Sequence, residues 1–208
     1  MPDGDDATMV QARGRFLSTG TYTPIRKVGA RLAADAVSER ATVVARGLGL
    51  DTSVRALRSA ARAHDRAAAV AWDIFRPFPL ADGVADVVLD VFAPRNPAEF
   101  HRVLRPTGRL IVVRPTGRHL VELRGRLPAM VTIDPTKEQR LHRALDPFFE
   151  ADVTEQVEYP VTLTRLGALD LVAMTPSARH VSHADLNDDG FLPDHVTVSV
   201  LATAYRPR

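Results

Sequence analysis

The sequence predicts an α/β fold built around a largely parallel sheet with helices on both faces. Three observations point there. Segments with helical spacing alternate along the chain with short β-branched runs. One of those runs, Leu110-Ile111-Val112-Val113, is apolar throughout, the pattern of a strand covered on both faces. The 208 residues, 45% of them hydrophobic and 25% charged, are enough for one domain with a sizeable core.

A first helix is expected from Thr8, carrying Met9, Val10, Phe16 and Leu17 and ended by Gly20. Pro24 suits the first turn of a second helix, in which Ile25, Val28, Leu32 and Ala36 recur at helical spacing. These two helices make a helical N-terminal extension, residues 1–38, of a single domain spanning 1–208. Residues 41–50 read as a strand, and Ser53 caps a helix with Val54, Leu57 and Ala61 on one face. Residues 67–72 are a further strand, weakened by alanine, and the stretch 73–83, with Pro77, Pro79 and Gly83, is a loop. Residues 84–89 form the clearest strand of the first half. Asn96-Pro97 then opens a helix through Phe100, Val103 and Leu104, and the turn Pro106-Thr107-Gly108 leads into the apolar run. A short helix over 119–126 is followed by another that Asp134-Pro135 opens and that ends near Phe149. The remainder predicts a strand over 153–161, a helix over 165–174 and a last strand over 196–202.

Composition excludes several classes. Cysteine is absent, which removes disulfides, thiolate zinc sites and cysteine nucleophiles. No apolar run approaches the roughly 20 residues of a membrane helix, and the opening Met1-Pro2-Asp3-Gly4-Asp5-Asp6 is the reverse of a secretory signal. A soluble, cytoplasmic protein is expected. The net charge is only +2, and Lys27 and Lys137 are the only lysines. Codon composition is the plain reading of the arginine excess. The functional alternative is a phosphate-facing strip of Arg102, Arg105, Arg109, Arg114, Arg118, Arg124 and Arg126, among which Glu122 is the only acid. Asp185-Leu186-Asn187-Asp188-Asp189-Gly190 imitates a calcium loop, but its glutamate position falls on Val196, so no metal site is expected.

Arg15-Phe16-Leu17, followed by Gly20-Thr21-Tyr22-Thr23-Pro24-Ile25, resembles the N-terminal segment of the bacterial 23S rRNA guanine-N1 methyltransferases. That family includes enzymes conferring macrolide resistance on antibiotic producers. Gly49-Leu50-Asp51-Thr52-Ser53 is similar to its second-strand acidic motif. Phe92-Ala93-Pro94, then Glu99-Phe100 and Arg102-Val103-Leu104-Arg105-Pro106, resemble its fourth motif and the helix and turn behind it. Arg118-His119-Leu120-Val121-Glu122-Leu123-Arg124 and Met174-Thr175-Pro176 match two further segments, so the similarity runs in order over nearly the whole chain. The resemblance implies a Rossmann-like class I methyltransferase fold, S-adenosylmethionine as cofactor and 23S rRNA as partner.

Two departures accompany it. The family begins with a four-cysteine zinc ribbon, and this chain has no cysteine. The family also places a glycine-rich turn and a crossover helix before the second-strand acid, a separation of about 20 residues in dinucleotide folds. Here only residues 45–50 separate Val44 from Asp51, too few for a parallel crossover. Gly47-Leu48-Gly49 has no helix directly behind it. A sheet one strand–helix unit short is therefore expected. A hybrid strand over 42–50 would fill the first-strand slot and later strands would move inward, since an empty slot leaves backbone groups unpaired.

The resemblance also implies roles. Asp51 stands where the family's acid holds the ribose hydroxyls, although capping the helix behind Ser53 is an equal alternative. Asp73 would accept from the adenine amino group or serve a turn. Tyr22 and His119 match residues used around the cofactor; a packed tyrosine and a structural histidine are the plain readings. Guanine N1 carries a proton, so a base is required. Asp90, the carboxylate nearest Phe92-Ala93-Pro94, is the candidate, with loop capping as its alternative. Phe92 is expected in the core, stacking on an extruded base being the other option. Two rival functions stay open: a non-catalytic remnant that binds RNA or a protein partner, and a methyltransferase of small molecules.

Overall fold

The computed structural model describes residues 7–37, 46–127, 137–175 and 192–208. Helices α1 (Ala7–Ser18) and α2 (Thr23–Val37) are joined through Gly20, whose φ of +79° is the left-handed conformation glycine adopts freely. Then come β1 (Gly47–Asp51), α3 (Val54–Ala61) and β2 (Ala67–Ala71). A second series holds β3 (Ala85–Val91), α4 (Pro97–Val103), β4 (Leu104–Pro115), α5 (Val121–Arg126) and α6 (Lys137–Leu145). It ends with β5 (Phe149–Thr162), α7 (Arg165–Ala173) and β6 (His195–Pro207). Local chemistry sets the helix starts. Ser53 Oγ accepts from the Ala56 amide at 3.4 Å, Asn96 Oδ1 from the Glu99 amide at 3.4 Å and Thr164 Oγ1 from the Gly167 amide at 3.1 Å.

The strands form two sheets, β1-β2 and β3-β4-β6-β5. The β1–β2 and β3–β4 pairs are parallel, whereas β4–β6 and β6–β5 are antiparallel. The expectation of a mostly parallel sheet is thus corrected to a mixed one. Strand β5 alternates exposed and half-buried residues over most of its length, as an edge strand with one wet face does, and this pattern carries no direction.

Among the described residues the sheet does not close. Strand β1 starts at Gly47 rather than Thr42 and pairs with β2 over Gly47–Asp51, and among the described residues no strand bridges β1 and β3. Residues 42–45 of the expected hybrid strand lie outside the described residues, as does the calcium-like loop. Side-chain burial holds β1–β2 in place instead: Leu50, Trp72 and Ile74 pack against the core formed by Phe78, Phe100, Leu110 and Val112. No described strand pairs with the outer edge of β3, where Leu89 is 55% and Val91 44% exposed.

Strand β4 separates two cores. Leu110 and Val112 face Phe100, Val103, Leu145 and Phe149; Ile111 and Val113 face Ile25, Val28 and Leu32 of α2 together with Val198 and Val200. A third cluster joins Phe16 of α1 to Leu120, Leu123, Leu171 and Val172. There Arg15 clamps the buried Asp170 of α7 in a bidentate pair, Nε to Oδ2 at 2.9 Å and Nη2 to Oδ1 at 2.5 Å. No helix among the described residues is long and apolar enough to cross a membrane.

The turn expected at 106–108 is absorbed into β4 as a register shift. Ala85 pairs with Leu104 and Val87 with Arg109, so the intervening residues bulge. Gly108 makes this possible, because a Cβ there would stand 2.9 Å from the Asp86 carbonyl oxygen. Gly108→Ala is expected to lower the unfolding free energy by about 1–3 kcal/mol in urea titrations, with Gly125→Ala, whose Cβ meets open space, as the tolerated control.

Candidate active site

Parallel pairing of β3 and β4 brings their C-terminal ends together, the edge at which open α/β sheets bind ligands. There Phe92, His119 and Tyr22 form an aromatic cluster. Ring centroids are 5.7 Å apart for Phe92–His119, 6.2 Å for Tyr22–Phe92 and 6.3 Å for Tyr22–His119. Tyr22 also meets Phe16 edge-on at 5.3 Å, and burial raises its phenol above the usual tyrosine range, so the hydroxyl stays protonated. Phe92 is not in the core; it is 42% exposed. Its amide donates to the Val113 carbonyl at 3.1 Å, and its φ of +55° turns the chain out of the sheet. Leu120, beside His119, is left-handed as well, with φ +54°, and donates its amide to Thr197 O at 2.7 Å. Two non-glycine residues in this conformation at one site mark stored strain.

His119 is held from behind by β6. Its Nδ1 accepts the Ser199 amide at 3.2 Å, so the neutral ring carries its proton on Nε2. Burial, aided by the Arg124 guanidinium, depresses its pKa to about 4. Ser199 Oγ in turn donates to Glu158 Oε2 at 2.7 Å, and Thr116 Oγ1 lies 2.6 Å from Ser199 Oγ. Glu122 accepts from the Thr197 amide at 2.7 Å and from its hydroxyl at 2.5 Å, pinning the same loop to β6.

Asp90 is 3% exposed. Its Oδ1 accepts the Ala93 amide at 3.2 Å; its Oδ2 lies 2.8 Å from Arg95 Nε as an ion pair out of hydrogen-bond alignment. Burial pushes its pKa up to about 6, against the opposing pull of Arg95.

Asp51 and Asp73 meet elsewhere, at the ends of β1 and β2. Asp51 is exposed and accepts the Ser53 amide at 2.7 Å through Oδ1, and its carbonyl accepts the Trp72 amide at 3.0 Å. Asp73 accepts the Phe75 amide at 3.0 Å and flanks a cleft of ≈200 Å³ lined by Thr52, Ala71, Trp72 and Arg76. Asn96 Nδ2 donates to Ile74 O at 2.8 Å, tying this corner to the loop behind β3. Gly47, Leu48 and Gly49 lie within β1 and form no turn.

The structure thus brings Tyr22, His119 and Phe92 together at the ends of β3 and β4, with Asp90 buried beside Arg95 two residues before Phe92, and it sets Asp51 and Asp73 apart at the ends of β1 and β2. Sequence reasoning missed Arg95, Ser199 and Glu158. Ser199 and Glu158 stand 80 and 39 positions from His119 along the chain, and no spacing rule links them to it. Four of the seven arginines of the strip stand in ion pairs: Arg102 with Glu99 and Asp82, Arg105 with Asp86, Arg109 with Asp152 and Arg118 with Glu158.

A chain from the complex between the Haloferax volcanii Trm112 methyltransferase activator and a methyltransferase superposes with a TM-score of 0.57 at 16% identity, covering 99% of this chain and 100% of that one. The fold is therefore that of the Rossmann-like class I methyltransferases. No family model matches the chain. Two relatives are each 39% identical over 98% of this chain and 81% of their own length. One is a Micromonospora griseorubida protein named as a 23S rRNA (guanine-N(1)-)-methyltransferase, the other the 23S rRNA (guanine(748)-N(1))-methyltransferase of Streptomyces fradiae. The chain belongs to the 23S rRNA (guanine-N1)-methyltransferase family. The alignments span 240 and 227 residues against 208 here, so both relatives hold internal positions without a counterpart.

The two perturbed groups leave opposite marks on stability. The folded protein keeps the Asp90 proton up to about pH 6, whereas the unfolded chain releases it near 3.8. Its contribution is complete below the lower value and is lost as pH rises through the upper one. His119, lowered from 6.5 to about 4, contributes above the first value, and that contribution is lost as pH falls toward the second. In urea titrations across this range, the stability difference between wild type and Asp90→Asn is expected to change in the Asp90 window alone. Arg95→Met should move the Asp90 carboxyl titration, read by carbon NMR, upward.

Proposed function

We propose that the chain is an S-adenosylmethionine-dependent methyltransferase that modifies N1 of a guanine in 23S rRNA. One observation carries this reading within the family: an exposed, strained aromatic and a neutral imidazole lie together at the ends of β3 and β4, two residues along the chain from a desolvated carboxylate. The nucleoside would lie at the ends of β1 and β2, where Asp73 lines the cleft and offers an acceptor for an amino group, and Asp51, next to the lining residue Thr52, has a second carboxylate oxygen beyond its Ser53 contact for the ribose hydroxyls. Tyr22 closes the methionine end. S-adenosylmethionine supplies the electrophilic methyl group.

Methyl transfer needs two aligned reactants and a dry setting. Phe92 gives the base a ring to stack on, and the exposed Leu89 and Val91 extend the apolar wall. Asp90 takes the N1 proton; with a pKa of about 6 it is ionised at neutral pH and basic enough to do so. His119 is not the base, because Nδ1 is occupied by Ser199 and Nε2 already carries hydrogen.

A second reading rests on the lack of a described strand between β1 and β3: a methyltransferase-like remnant that no longer turns over. Calorimetry with S-adenosylhomocysteine separates the two. The enzyme reading expects binding, about tenfold weaker in Asp51→Asn, which keeps the Ser53 cap but loses the charge. It also expects methyl transfer to 23S rRNA transcripts, located by reverse-transcription stops. No heat at millimolar ligand would leave only the remnant.

A further inference from the structure

His119 has one hydrogen-bonding atom that the fold does not use. Ser199 fixes Nδ1 as the acceptor, so Nε2–H is a donor, and it has no partner among the described residues. That donor is not sealed within the core, and the ring faces Phe92, tilted 31° from it. Its orientation is enforced at two points of β6, through Ser199 with Glu158 and through Thr197 with Glu122. Such investment in one tautomer is out of proportion for a packing residue.

We propose that the Nε2–H of His119 donates to the O6 carbonyl of the target guanine, which makes His119 a catalytic and specificity-determining residue rather than a cofactor contact. The inference rests on the guanine-N1 reading above. As the N1–H bond breaks, its proton passes to the Asp90 carboxylate, which becomes a carboxylic acid. The charge left on the N1–C6–O6 amide gathers on O6, where a preorganised neutral donor stabilises it. The N1 electron pair forms the bond to the methyl carbon while the sulfur–methyl bond breaks, its pair staying on sulfur, so a neutral thioether leaves. Adenine presents an amino donor where guanine has O6, and two donors facing each other exclude it.

The experiment compares wild type, His119→Ala and His119→Gln. Glutamine supplies a carbonyl for the Ser199 amide and an amide donor in place of Nε2–H. Expected are S-adenosylhomocysteine affinities within about twofold of wild type for both variants, a kcat lowered about 100–1,000-fold in His119→Ala, and partial recovery in His119→Gln. Unchanged kcat in His119→Ala, or lost cofactor affinity with normal turnover at saturation, overturns the proposal. An independent readout uses imidazole nitrogen NMR of the wild type. The Nε2–H resonance should shift on adding guanosine monophosphate and not on adding 2-aminopurine ribonucleotide, which lacks O6. An equal shift with both, or none with either, overturns the assignment even if the protein fails to bind S-adenosylhomocysteine, an outcome that would count against the methyltransferase reading alone.

Discussion

Four residues of β4 hold the two layers of the molecule together. Leu110, Ile111 and Val113 expose nothing and Val112 only 1%, and successive side chains enter opposite cores. Each such burial is worth about 1.5–3 kcal/mol, and the same strand is paired along both edges, with β3 and with β6. The site inherits its geometry from this strand. The end of β4 fixes where the loop bearing His119 departs, and its parallel ladder fixes where β3 releases Phe92.

That central strand was legible because its chemistry is local. So were the starts of α3 and α4, where Ser53 and Asn96 cap within three residues of themselves. What escaped the sequence depends on contacts far apart in the chain. Strand direction in β5 and β6 is decided by where α7 returns the chain, which periodicity does not encode. Phe92 is a core residue on the sequence reading, yet it stands 42% exposed where a left-handed φ and an amide bonded to Val113 take the chain out of β3. Closure of the sheet was expected from the cost of unpaired backbone. Among the described residues, packing of Leu50, Trp72 and Ile74 against the core holds β1–β2 without a ladder to β3. Of the candidate site, each residue type was visible singly; its division into two groups was not.

The two outer edges of the four-stranded sheet are treated differently. Strand β5 carries Glu150, Asp152, Glu158 and Pro160, the charges and proline that discourage edge pairing. Strand β3 carries none of this on its open side beyond Asp86 and Asp90, both engaged with arginines, and it leaves Leu89 and Val91 in solvent. The strained turn behind it adds to the cost. A left-handed L-residue gives up about 1–2 kcal/mol, offset at Leu120 by full packing and at Phe92 by one backbone hydrogen bond and the ring contacts with Tyr22 and His119.

The position of β6 governs how this chain is assembled as it is made. Its residues, 195–207, insert between β4 and β5, and Arg15 of α1 finds Asp170 only across 155 positions. A nascent chain therefore leaves the ribosomal tunnel with its first helix unanchored and its sheet unzipped down the middle. Until β6 is made, Ile111 and Val113 lack the strand that covers them.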